Sequence, residues 1–230
     1  MSELILIETS TSLCSTALAV NGQIVSHRES TAPKAHAAMT APFVKQMLDE
    51  CGIEVRDCDA VCVSAGPGSY TGLRVGSSTA KGLCFGAGIP LIAVGTPDVL
   101  AYQAIESGSM PEGCRAIVPL IDARRMEVYT ATFSPSGERL SGTEPKIICE
   151  GDFEQILSEG PVFFIGDGAE KCSRVIKHPN AFFLQACPRA QAMLQPALKA
   201  LEEKKFCDTA YFEPFYLKDF VATVSKKALF

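Results

Sequence analysis

The sequence predicts an α/β protein of two related lobes rather than one continuous parallel sheet. Three observations carry that reading. The chain opens with strand-like apolar runs joined at Asn21-Gly22, a dipeptide that favours a tight hairpin. Helical and strand-like periods then alternate as far as Ser107. At residues 107–113 the polar, Gly- and Pro-rich stretch SGSMPEG follows a helix stop, and a similar mixture of elements starts again beyond it. The expected division is a first lobe over 1–107 and a second over 108–212, with the tail 213–230 returning to the first.

In the first lobe the apolar run Leu4–Glu8 reads as a strand, and Thr16–Val20 and Gln23–His27 as the arms of the Asn-Gly hairpin. From Ala35 to Cys51, Met39, Phe43, Val44, Met47 and Leu48 recur at helical spacing, with Gly52 at the stop. Pro42 is expected to kink or restart that helix. Ala60–Ser64 reads as a buried strand that turns through GPGS into a helix ending near Phe85. Pro90–Val94 forms another strand, after which Thr96 is expected to cap a helix with Pro97 in its first turn and Gly108 past its end. In the second lobe Ala116–Ile121 and Glu127–Phe133 read as strands, and SPSG turns the chain back toward Glu138–Leu140. Val162–Ile165 is a further strand and Arg189–Lys205 a helix interrupted at Pro196. No internal repeat is visible in the sequence itself.

Of the 230 residues 47% are hydrophobic, enough for a substantial core. The 21 basic and 26 acidic side chains leave a net charge of -5, which argues against tight, direct nucleic-acid binding by this chain alone. In MSELILIETS, Glu3 and Glu8 flank a short apolar run, so it reads as neither a secretion signal nor a membrane span, and the cytoplasm is the expected address. Ten scattered cysteines without a CxxC pair read as reduced core residues. Cys58 and Cys62 are expected on one strand face, but no second pair stands at zinc-ligand spacing.

The segment SAGPGSYTGLRVGSSTAKG, residues 64–82, poses the functional question. It fails the Walker pattern, because Lys81 precedes Gly82 and Leu83 follows, and it fails the dinucleotide pattern, because Gly66, Gly68 and Gly72 are two and four apart. Gly72, Gly76, Ala80 and Cys84 instead recur every four residues on one helix face. A glycine inside a helix costs roughly 1 kcal/mol relative to alanine, so a close approach of another backbone should offset it. The plain reading is packing against the protein's own sheet. The sharper one is a docking surface of Gly72, Leu73, Val75, Gly76, Ser77 and Ala80. Two further features are weaker. Glu8 with the hydroxyls of Thr9, Ser10 and Thr11 could hold a phosphate, although Ser/Thr runs more often serve turns. Asp122, Arg124, Arg125 and Glu127 could touch a ligand or simply form a salt-bridged turn. His27, His36 and His178 are not at ligand spacing, and Ser69 lacks a neighbouring base.

Taken together, ILIETSTS, SAGPGSYTGLRVGSSTAKGL, IPLIAVGTPDVLA, IDARRMEVY and PFYLKDF resemble the TsaB (YeaZ) family over nearly the whole chain, most specifically through GPGSYTGLRVG and least between 134 and 212. The resemblance implies the actin-like fold of sugar kinases and chaperone ATPases (ASKHA), two lobes of ribonuclease-H-like topology with the tail crossing back. It implies a role in threonylcarbamoyl modification of the tRNA adenosine next to the anticodon, where a TsaD-type subunit transfers the group and a TsaB-like partner supports it. TsaD-like chains carry an HxxxH metal pair shortly after the segment matching IPLIAVG. Thr96 and Leu100 stand at those positions here, and neither replaces imidazole as a metal ligand.

The expectation is therefore a non-catalytic subunit with no catalytic or metal-binding residues of its own and no cofactor. Any ATP or ADP is expected to bind weakly, in the assembled complex, with Glu8, Thr9, Ser10 and Thr11 as the candidate contacts. The partners implied are a TsaD-type catalytic subunit, a TsaE-type ATPase and a second copy of the chain when alone, with tRNA met only through the complex and no membrane. The resemblance also favours the docking reading, so a large residue at Gly76 is expected to block pairing and leave the fold intact. The alternative is an autonomous enzyme of the same fold, a small ATP-dependent kinase or ATPase or a peptidase.

Overall fold

A computed structural model describes residues 2–217. The chain runs β1 (Glu3–Glu8), β2 (Cys14–Val20), β3 (Gln23–Ser30), α1 (Ala35–Cys51), β4 (Ala60–Gly66), α2 (Tyr70–Ala87), β5 (Leu91–Gly95) and α3 (Thr96–Ser107). It continues through β6 (Ala116–Asp122), β7 (Glu127–Thr130), β8 (Glu144–Ile147), α4 (Glu154–Glu159), β9 (Val162–Gly166), α5 (Ala169–Ser173), β10 (Ala181–Gln185) and α6 (Leu194–Glu202). The strands form two five-stranded sheets, ordered β3-β2-β1-β4-β5 and β10-β9-β6-β7-β8. In each, three antiparallel strands lead into two parallel ones: β1 pairs antiparallel with β2 and parallel with β4, as β6 does with β7 and β9. This is the actin-like (ASKHA) two-lobe fold with ribonuclease-H-like subdomains.

Strand β1 is interior because both of its faces are apolar. Leu4 and Leu6 point into one core with Ala60, Cys62, Ile92 and Val94, while Ile5 and Ile7 point into the other with Val61 and Val63. Each fully buried Leu or Ile stabilises the fold by about 1.5–3 kcal/mol. On the Ile5 side the cover is α1, through Val44, Met47 and Leu48, and α2, through Ala80 and Cys84. On the Leu4 side it is the turn Ala190–Met193 and α6, through Met193, Leu194 and Ala197. Helix α6, assigned by sequence to the second lobe, therefore packs on the first sheet. Helix α3 does the reverse, placing Leu100, Ala101 and Ala104 in the core with Ile117, Ile121, Phe163 and Ile165.

Several local expectations change. Helix α1 runs unbroken through Pro42, and Thr96 is the first residue of α3 with Gly95 at the cap position. Only a single bridge, Phe133 to Arg139, stands where a strand over Glu138–Leu140 was expected. The helix expected over Arg189–Lys205 is a short 3-10 turn followed by α6, with Pro196 in its first turn. Cys58 and Cys62 face opposite cores, so they share no ligand face. Residues 207–216 run back over the first lobe: Cys207 N–H donates to Leu91 O at 2.8 Å and Phe215 N–H to Ala65 O at 2.7 Å, while Lys81 Nζ donates to Ala210 O and Phe212 O. The rest of the predicted returning tail, 218–230, lies outside the described residues. No helix among the described residues is long and apolar enough to cross a membrane.

Candidate functional site

Helix α2 begins at Ser69, whose hydroxyl accepts the Gly72 N–H at 3.3 Å, and it runs 18 residues to the left-handed Gly88. Its small-residue stripe points inward. A Cβ added at Gly72 would lie 2.1 Å from Thr9 O, and one at Gly76 would lie 2.2 Å from Thr9 Oγ1 and 3.5 Å from Val63. Thr9 Oγ1 uses the space by donating to Gly72 O at 2.9 Å. The cost of two helical glycines is thus offset inside the lobe, where the turn after β1 approaches the helix backbone too closely for any side chain. Gly72, Leu73, Gly76, Ser77 and Ala80 are all buried there, and Val75 is half-buried. The expected docking surface is corrected accordingly: this stripe is an internal contact, and a large residue at Gly76 would break the fold before it touched a partner.

The opposite face of α2 is the open one. Thr71, Arg74, Ser78, Gly82, Phe85 and Gly86 are exposed along it, with Phe85 88% exposed. A Cβ at Gly82 or Gly86 would meet nothing within 4 Å, so no intramolecular contact explains either glycine. Beside them lies a groove of about 530 Å³ lined by Glu54, Val55, Arg56, Gly82, Leu83, Gly86 and Ala87. Sequence reasoning missed this second small-residue stripe. Ser78, Gly82 and Gly86 recur at the same four-residue interval.

The turn after β1 is locked onto the GPGS segment. Ser69 N–H donates to Ser10 O at 2.6 Å, and a Cβ at Gly68 would lie 2.2 Å from that oxygen. Ser10 N–H donates to Glu8 Oε1 at 2.5 Å and Thr9 N–H to Ser64 Oγ at 3.5 Å, so two donors a phosphate would need are already engaged. Glu8 is fully buried, and burial pushes its carboxyl up to about 7, opposed by hydrogen bonds from Ser10 and Ser64 and assisted by the charge of Asp167. Its Oε2, together with Ser10 Oγ and Thr11 Oγ1, is buried without a hydrogen-bond partner.

The charged knot of the second lobe is a turn. Arg124 and Arg125 take left-handed conformations, Arg124 N–H donates to Asp122 Oδ1 at 2.8 Å, and Lys171 Nζ holds the same oxygen at 2.5 Å. Asp122 N–H donates to Asp167 Oδ1 at 2.9 Å, and burial raises the Asp167 carboxyl. Lys171 and Asp167 went unread in the sequence, although Gly166-Asp167-Gly168 after one strand echoes Gly66-Pro67-Gly68 after another. Thr96 and Leu100 are both fully buried in α3. Among the described residues no group of three or more His, Cys, Asp or Glu side chains is arranged to hold a metal, and every cysteine there is free.

The family model described as tRNA N6-adenosine threonylcarbamoyltransferase, TsaD, matches residues 23–158. The Escherichia coli K12 protein called tRNA threonylcarbamoyladenosine biosynthesis protein TsaB is 30% identical over 94% of this chain and 94% of its own length. Its namesake in Haemophilus influenzae is 30% identical over 94% and 93%. Among solved structures, a Pseudomonas aeruginosa protein described as similar to the peptidase YEAZ superposes with a TM-score of 0.83 at 28% identity, covering 95% of this chain and 100% of the other. The Pseudomonas aeruginosa protein called YeaZ superposes with a TM-score of 0.82, also at 28% identity, over 94% and 100%. The chain belongs to the TsaB (YeaZ) family, within the wider group that the TsaD model describes.

Proposed function

We propose that the protein is a non-catalytic subunit in the threonylcarbamoyl modification of tRNA adenosine, and that it docks a TsaD-type transferase on the outward face of α2. The observation that carries this reading is Phe85, 88% exposed on a stable helix between two glycines that touch nothing. A large aromatic flanked by bare backbone suits a close helix-to-helix contact, with binding energy from apolar packing. The names of the Escherichia coli and Haemophilus influenzae relatives supply the pathway. Thr96 and Leu100, in place of an imidazole pair, favour a supporting role over a metal-dependent transferase. The same face would serve a second copy when the chain is alone. A TsaE-type ATPase, any nucleotide and the tRNA would join only in the assembled complex, in the cytoplasm.

The rival reading is an autonomous kinase, ATPase or peptidase. Against it stand the engaged N–H groups of the turn after β1 and the use of Ser69 Oγ as a helix cap. Phe85→Ala should weaken binding of the TsaD-type partner roughly ten- to a hundredfold by calorimetry, with an unchanged melting temperature. Undiminished affinity would remove α2 from the interface. ATP turnover by the isolated chain would favour the enzyme.

A further inference from the structure

Beyond α6 the chain returns along α2 as an irregular strap, residues 207–216, and three anchors fix its path. Cys207 N–H donates to Leu91 O at 2.8 Å, past the C-terminal end of the helix. Lys81 Nζ donates to Ala210 O at 3.0 Å and to Phe212 O at 3.1 Å. Near the start of the helix Phe215 N–H donates to Ala65 O at 2.7 Å, and the Tyr216 ring meets that of Tyr70 with centroids 4.7 Å apart. The strap therefore runs antiparallel to α2. Along it Tyr211, Glu213 and Phe215 are exposed while Phe212, Pro214 and Tyr216 are partly buried, the two-residue period of an extended chain with one face on the protein. Phe212 packs on the Ile5-side core. Tyr211 stays 83% exposed, in a turn where its own N–H and that of Ala210 donate to Asp208 Oδ1 at 3.2 and 2.8 Å.

Tyr70, Arg74, Lys81 and Phe85 are spaced by four, seven and four residues, so they form one stripe along an edge of the open face of α2. The strap touches that stripe at Tyr70 and at Lys81, and Phe85 stands one turn beyond Lys81 on the same side. The two carbonyls that hold the Lys81 ammonium bracket Tyr211. Tyr211 and Phe85, the two most exposed large hydrophobic side chains among the described residues, thus border the same stretch of helix from two different elements. The opposite edge of the face is the groove at Val55, Gly82 and Gly86. A helix laid on the bare backbone of α2 would be flanked by the strap, and a strap ordered beforehand spares the cost of ordering it on binding. We propose that the strap is a second wall of the docking surface: Tyr211 and Phe215 contact an apolar-faced helix of the TsaD-type partner as it lies on α2, and Lys81 positions the strap for that contact. The inference rests on the docking reading of α2, and continuity with Phe85 selects this occupant.

The test titrates the full-length protein and its variants against the TsaD-type partner by calorimetry, and follows amide hydrogen exchange over residues 207–216 in the free chain and in the complex. Tyr211→Ala should weaken binding roughly tenfold with an unchanged melting temperature, and the strap amides of the wild type should exchange more slowly once the partner is bound. Lys81→Met loses both carbonyl bonds, so it should speed exchange around Tyr211 in the free chain and weaken binding severalfold, and Lys81→Arg should recover both. Weakened binding by Phe85→Ala beside wild-type affinity in Tyr211→Ala overturns the strap and leaves the α2 face standing. Wild-type affinity in both variants overturns the docking reading and the strap with it. If Tyr211→Ala abolishes self-association by sedimentation while partner binding is intact, the strap belongs to a second copy and the proposal is overturned.

Discussion

The first sheet, β3-β2-β1-β4-β5, and the second, β8-β7-β6-β9-β10, follow one path, and each is followed by a helix after its third, fourth and fifth strands. The helices differ in size. In the first lobe α1 and α2 have 17 and 18 residues; their counterparts α4 and α5 have 6 and 5. The last helices tie the two lobes: α3 places Leu100, Ala101 and Ala104 in the core of the second sheet and Val99 in that of the first, and α6 packs on the first. The difference separates scaffold from function. The added length of α1 and α2 covers the Ile5 side of the first sheet with Val44, Met47, Leu48, Ala80 and Cys84 on its inner face. On the outer face of the same stretch of α2, Phe85, Gly82 and Gly86 stand exposed.

The largest expected effect comes from confusing the two faces of α2. Gly76→Leu drives a side chain into Thr9, a clash worth about 3 kcal/mol or more because it strikes a turn that GPGS already pins. Urea unfolding should show a collapsed midpoint or an insoluble chain. Gly82→Leu, six residues on, should leave the midpoint at or slightly above that of wild type and abolish binding of the TsaD-type partner. A stable Gly76→Leu protein would mean that the inward packing, and with it the contrast between the faces, is wrong.

A second expectation concerns Glu8, whose carboxyl in the folded protein is pushed up to about 7 from 4.5. The folded chain then binds more protons than the unfolded one between those values. Stability is fully present below the unfolded pKa and falls as pH rises through the folded one, by about 3 kcal/mol in all. Glu8→Gln should remove that decline, so in metal-free buffer the variant gains on wild type from pH 5 to pH 8 and the two converge toward pH 4.5. Parallel stability curves would show that Glu8 is ionised throughout.

Much of the frame was legible because its signals are local. Four consecutive apolar residues at Leu4–Ile7, the Asn21-Gly22 turn and the period of α1 depend on neighbours in sequence, and the structure keeps all three. Short elements of the second lobe, β8, α4, α5 and β10, escaped because four to six residues give no usable period. Two related lobes were expected from the recurring mixture of elements, but the repeated strand order was not readable, because the order repeats while the residues that build it do not. The orientation of α2 was not readable at all. A four-residue interval of small side chains says that something comes close, and the helix carries two such intervals, 72-76-80-84 and 78-82-86. Only the tertiary position of Thr9 decides which one is filled from within.

The smallest effect is the one that isolates the outward stripe. An alanine at Gly82 meets nothing within 4 Å, and the position lies inside a helix, so Gly82→Ala should stabilise the isolated chain by about 0.5–1 kcal/mol through reduced backbone freedom in the unfolded state. A glycine retained at that cost in an exposed helix turn requires a benefit that appears only when something else is bound. Gly82→Ala should therefore raise the midpoint of the free protein while lowering its affinity for the TsaD-type partner severalfold, by one methyl's worth of lost approach. The same stabilisation with unchanged affinity would place the partner's helix away from Gly82 and shift the contact toward Phe85 and Arg74.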